Sequence, residues 1–308
     1  VKRRGARRWK PGAAPPMFRA PADRFPPDSE TRMRFAAALA SLALILPPPA
    51  ARAASAPPAQ AQAAAQGLAG HKAGYLISLD NAKGGDIVDV VGTMGYEALD
   101  SCDGWATRQR LAMTLTNGDG QAIEMVSDYT TFESKDGLRL RFRMRQTTDG
   151  AVTSETEGTA TLRRAGGPGE ARYAKPKAAR VDLPAGTVFP MAHTAAILAA
   201  AREGRKFVAM PLFDGTDEAG IEDSSAVIVD WRPPGPTSAK TDLAALKPLG
   251  SARVRLAFFD RKSSNITPSY EVGMRYWENG VSDDLQMDFG EFSVRARIKE
   301  FALVPRRC

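Results

Sequence analysis

Two cysteines and two histidines carry most of the chemistry open to this 308-residue chain. Cys102 lies in "ALDSCDGWATRQRL", beside Asp103, Gly104 and Trp105, and Cys308 is the last residue. The histidines are His71 and His193. A Cys-His or Ser-His-Asp site needs an imidazole within hydrogen-bond reach of the nucleophile. His71 begins the region expected to be ordered, and His193 falls at the start of a helical stretch, where capping and packing roles are common. No G-x-S-x-G is present. A structural zinc site takes four N or S ligands at tight spacing, and the chain has no CxxC, CxxH or HExxH. No catalytic, cofactor-binding or metal-binding residue is expected. "DFG" at 288–290 has none of the other kinase motifs and reads as a strand end. "NGDGQ" at 117–121 lacks the twelve-position calcium pattern and reads as a hairpin turn.

The compartment decides what the cysteines do. "MRFAAALASLALILPPPAARAASA" has the three parts of a secretory signal. Arg32 and Arg34 are basic, Phe35 to Leu46 is apolar apart from Ser41, and Ala51-Arg52-Ala53 is an A-x-A cleavage site. That run is 12 residues, against about 20 for a transmembrane helix. The expected layout is a leader over 1–32 with Met33 as the start, a signal peptide over 33–53, an Ala/Gln/Pro tether over 54–70 and one domain over 71–308. The mature chain is then exported to the periplasm, without a transmembrane span, into an oxidising space. Residues 1–53 hold 11 Lys/Arg and 3 Asp/Glu, a net of +8, so the whole-chain +7 leaves 7 − 8 = −1 for the rest. The basic charge belongs to the leader and gives no support to a nucleic-acid partner. Two cysteines, an oxidising space and no third metal ligand point to a Cys102–Cys308 disulfide. It would pin the last strand onto the first third of the domain, with Trp105 shielding it from solvent.

The elements that must position these residues are mostly strands. In "LRLRFRMRQ", Leu138, Leu140, Phe142 and Met144 share one face and Arg139, Arg141, Arg143 and Arg145 the other. "EFSVRARIKEFALV" repeats the alternation, and "HKAGYLISLD", "IVDVVGTM", "QRLAMTLT", "QAIEMVSDY", "SSAVIVDW", "ARVRLAFFD" and "YEVGMRYW" are further strand candidates. "AKGGD", "NGDG", "TDG" and "ENG" sit between them as hairpin turns. The fold class is mostly β, a many-stranded antiparallel meander with one apolar face. The arginine face could meet anionic polysaccharide or lipid head groups. A three-residue Thr148-Asp149-Gly150 loop would instead set Arg143 opposite Glu155 and Arg141 opposite Glu157, accounting for the charge without a ligand. One segment breaks the pattern. Residues 192–203, after Pro190, with Thr194 as a cap and Gly204 at C′, read as an amphipathic helix that plugs or covers an open end of the sheet.

In their order along the chain, "CDGW" at 102–105, "ESKDGLRLRF" at 133–142, "LPAGTVFPMAHTAAILAAAREG" at 183–204, "LFDG" at 212–215, the "YWENG…DFGEFSV" region and Cys308 resemble the cell envelope integrity EipB family of exported proteins from Gram-negative bacteria. The resemblance spans from about His71 to the end. It implies a spiral or broken barrel of antiparallel strands and a disulfide matching Cys102 and Cys308. It also implies a non-enzymatic envelope role through contact with a periplasmic tetratricopeptide-repeat protein. An alternative function is a carrier that holds a lipid or other apolar ligand in the curved sheet. A side-chain-filled interior favours the scaffold, and a deep apolar cleft the carrier.

Overall fold

The computed structural model describes residues 67–308 except 85, 219, 236–242, 263–265 and 307. The expected leader, the expected signal peptide and most of the expected tether lie outside the described residues. The described chain forms one antiparallel sheet of 14 strands in the order β8-β7-β6-β5-β4-β3-β2-β1-β14-β13-β12-β11-β10-β9. The first meander comprises β1 (His71–Ala82), β2 (Ile87–Asp100), β3 (Gly104–Asn117), β4 (Ala122–Ser134), β5 (Arg139–Thr148), β6 (Ala151–Leu162), β7 (Gly169–Lys175) and β8 (Ala179–Leu183). The second comprises β9 (Phe207–Leu212), β10 (Glu222–Arg232), β11 (Ser251–Asp260), β12 (Tyr270–Trp277), β13 (Ser282–Asp288) and β14 (Phe292–Leu303). Strands β1 and β14 pair along nearly their whole length, from His71↔Leu303 to Ala82↔Phe292. The first and last strands therefore join the two meanders at the centre of the sheet, and β8 and β9 are its edges.

Period-two patterning explains the strands. In β5, Leu140, Phe142 and Met144 are buried while Arg139, Arg141, Arg143 and Arg145 are exposed. A sheet this wide curls, and its inner face closes on one helix, α1 (Pro190–Arg202), in the link from β8 to β9. The sequence predicts that helix but with the wrong character. Met191, Ala192, His193, Ala195, Ala196, Ile197, Leu198, Ala200 and Ala201 are all buried, so no stripe faces water. A helix apolar on every side belongs in a core. Ala196 and Ile197 pack with residues of β1, β3 and β10–β14. Met191 and Leu198 meet Leu68 and Trp105, and Phe189, just before the helix, joins the cluster under β5–β8. Pro190 stands at the first helical position, where its missing N–H costs nothing. The end is a Schellman motif: Gly204 at φ 73° sends its N–H to Ala201, and the Arg205 N–H reaches Ala200.

The "LFDG" stretch turns the chain from β9 to β10 and is held from across the sheet. The Tyr129 hydroxyl donates to the Asp214 carbonyl at 2.7 Å, Thr156 Oγ1 to Gly215 at 2.5 Å, and the Tyr173 hydroxyl to Asp217 at 2.7 Å. Gly215 has φ 78°, and a Cβ there would collide with the Phe142 ring. The second meander is thereby tied to β4, β6 and β7 through backbone carbonyls.

Candidate functional site

Glu133 fixes the start of α1. It lies on β4, is 2% exposed, and its carboxylate accepts the N–H groups of Met191 at 2.7 Å and Ala192 at 2.9 Å. With Pro190 lacking an N–H and His193 N–H bonded to Phe189 O, the first turn has no orphan donor left. The expected Thr194 cap is overturned: Thr194 lies inside the helix, with its hydroxyl 3.5 Å from that of Tyr276. A carboxylate distant in sequence does the capping, and the positive end of the helix favours it. Burial outweighs both hydrogen bonds and pushes the Glu133 pKa up to about 7. A raised acid pKa means stability that is fully present below the unfolded value near 4.5 and is lost as pH rises through 7. Glu133→Gln removes that titration. Between pH 4.5 and 7.5 the wild-type melting temperature should therefore fall relative to the variant's. Parallel pH profiles would contradict the assignment.

That first turn is one wall of a partly open pocket of about 230 Å³. Pro190, His193 and Thr194 line it from the helix. The sheet contributes Tyr75, Tyr96, Tyr129, Tyr270 and Tyr276, five of the six tyrosines in the chain, together with Met94, Met274 and Met287. Tyrosine offers an apolar ring with a polar tip, and methionine adapts its shape to what it meets. Burial raises the pKa of all five phenols, so they stay protonated donors. Tyr75 donates to Ser282 O at 2.7 Å and Tyr129 to Asp214 O. No lysine or arginine lines the cavity, whereas Asp214 and Glu222 do.

The histidines are far apart in role. His193 Nε2 is 2.7 Å from Ser224 Oγ, and burial lowers its pKa to about 4. His71 Nδ1 bonds Ala69 O at 2.9 Å, and its ring lies tilted against those of Tyr96 and Phe301. No group of three or more His, Cys, Asp or Glu is placed to hold a metal among the described residues. "DFG" ends β13, with Gly290 N–H closing on Asp288. In "NGDG" the Asn117 side chain accepts the N–H groups of Asp119 and Gln121.

Cys102 and Cys308 are joined, with Cα atoms 5.9 Å apart. Cys102 takes the left-handed conformation, φ 71°, and its N–H bonds the Asp100 carboxylate at 3.0 Å. Asp100 also pairs with Lys135 at 2.9 Å and Arg306 at 3.6 Å, which draws the C-terminal tail to this corner. Trp105 does not shield the bridge. It is 1% exposed and points inward onto Met191 and Leu198, leaving Cys308 exposed. Cys102 lies outside any strand, in the turn between β2 and β3, so the alternation of β3 does not aim Trp105 at it.

The arginine face also differs in detail. Asp149 and Gly150 both have positive φ and form a two-residue turn, because Thr148 pairs with Ala151. A bulge after Gln146 then sets Arg143 opposite Glu157 and Arg145 opposite Glu155. Arg143 reaches Glu155 at 3.7 Å and Glu157 at 3.8 Å, while Arg141 lies over the Phe132 ring at 4.8 Å. No helix among the described residues is long and apolar enough to cross a membrane.

One open antiparallel sheet curled around a buried helix, with a tyrosine-lined cavity between them, defines a barrel-like β protein. The chain belongs to the EipB-like family, whose profile matches residues 62–305. It is similar to the cell envelope integrity protein EipB of Brucella abortus (strain 2308), 32% identical over 245 residues, which cover 78% of this chain and 86% of the relative. It is also similar to the crystal structure of a beta-barrel-like protein, a domain of unknown function (DUF1849), from Brucella abortus. There the TM-score is 0.68 and the identity 27%, over 77% of this chain and 99% of the other. Membership of this family supports an envelope-related role.

Proposed function

We propose that the chain is a non-enzymatic periplasmic protein, exported by the signal at 33–53, that supports the cell envelope through contact with a tetratricopeptide-repeat protein. The observation behind the contact is an apolar patch at a sheet edge. Phe207 of edge strand β9 stands opposite Val227 of β10, and both are exposed together with Val229. Large apolar side chains beside an edge strand mark an interaction surface. The repeat-protein identity of the partner comes from the family resemblance. The absence of catalysis is supported by the histidines. With a pKa near 4, His193 is a weak base, and its partner Ser224 does not line the cavity.

The test is affinity purification from the periplasmic fraction with mass spectrometry. Wild-type protein should recover a tetratricopeptide-repeat protein. Phe207→Glu with Val227→Lys, an opposite-charge pair across the two strands, should lose it with little change in melting temperature, since both positions face water. Recovery that survives the double substitution would refute this surface. The cavity favours a second working part, carriage of an apolar ligand, which does not depend on the partner.

A further inference from the structure

We propose that the cavity beside α1 binds a medium-chain acyl group in an uncharged form, as in an acyl ester, with its carbonyl oxygen accepting from the Tyr96 hydroxyl. This rests on the carrier reading and names its ligand class. The Tyr96 hydroxyl makes no hydrogen bond among the described residues, although the residue lies deep enough that burial raises its pKa and it feels the phenols of Tyr276 and Tyr75. Tyr96 is nonetheless only half-buried by surface, and the surface it keeps lines the cavity. A protonated donor on the wall of a partly open, largely apolar pocket is a place for an acceptor atom. Leu256, Phe258, Val272 and Met287 supply apolar wall.

Size and charge narrow the ligand. The pocket's 230 Å³ takes an acyl chain of about eight carbons at roughly 30 Å³ each, and its open side leaves room for a longer one. Charge excludes a free fatty acid. A carboxylate there would meet Asp214 and Glu222 with no lysine or arginine beside it, and the phenols that could donate to it carry no charge to offset the cost of desolvating an anion. A neutral carbonyl meets none of that repulsion.

The test is calorimetric titration of the periplasm-purified chain with 1-monooctanoylglycerol, below its micelle concentration, and in parallel with sodium octanoate. The ester should bind with a negative heat-capacity change, and octanoate at least tenfold more weakly. Tyr96→Phe keeps the ring and should weaken the ester about fivefold, the usual worth of one neutral hydrogen bond. Val272→Trp fills the pocket and should abolish binding. If that variant fails to fold, Tyr96→Phe still decides. The proposal is overturned if the ester does not bind, if octanoate binds as well, or if Tyr96→Phe has no effect. Organic extraction of the same protein separates the two readings. A co-purifying lipid with no monooctanoylglycerol binding would sink this ligand class and leave the carrier reading standing.

Discussion

Ile197→Asp should remove most of the stability of the domain. Ile197 is fully buried and packs among strands from both meanders through α1. Truncating such a side chain costs about 2–5 kcal/mol from lost transfer and the cavity left behind. Aspartate adds the desolvation of a polar group with no partner, several kcal/mol more or less according to how far the acid escapes by protonating. Domains of this kind have about 5–15 kcal/mol to lose. Urea unfolding should show a midpoint lowered to near zero, or no folded baseline at all. Ile197→Val, which keeps most of the volume, should cost only about 1 kcal/mol. A midpoint unchanged by the aspartate would mean that α1 is not the centre of the core.

The sequence pointed to this helix but not to its role, and the reason is local. "MAHTAAILAAAR" offers His193, Thr194 and Arg202 as a polar side, so it reads as amphipathic. Only a sheet wrapped around it turns His193 inward, to 5% exposure. The long alternating strands were legible because each carries its own face in its period, as β5 does. Strands β7 "GEARYAK", β8 "ARVDL" and β9 "FVAMPL" were not, being short and without a clear apolar alternation. Pro211 inside β9 argued further against a strand and is tolerated because β9 is an edge. Glu133 was missed for a related reason. In "TTFES" the eye places Phe132 inside, whereas β4 buries Thr131 and Glu133 and gives Phe132 to Arg141. The cavity tyrosines come from β1, β2, β4 and β12, and no local pattern announces that strands so distant in sequence converge on one space.

Loss of the disulfide should be the second large effect, and the structure changes where it acts. Exported protein should carry no free thiol, and non-reducing mass spectrometry that found two would overturn the pairing. Cys102→Ser and Cys308→Ser should each cost up to about 5 kcal/mol, the chain-entropy value for a loop of this span, with 206 residues separating the two cysteines. The double variant should cost little more than either single one, since each removes the same bond. The sequence alone suggests that reduction would free the last strand, because a chain end frays by default. The sheet order contradicts that. Strand β14 lies between β1 and β13, at the centre of the sheet, and the Val304 N–H still bonds Gly70 O beyond its end. The bridge therefore holds only the tail after Val304 in the native state, and most of its effect falls on the unfolded chain, whose largest loop it closes. Hydrogen exchange on reduced protein should thus show faster exchange at Arg306, at Cys308 and around Cys102, while β14 amides stay protected until global unfolding. Early loss of protection in β14 would show that the bridge, rather than strand pairing, holds the C-terminal strand in place.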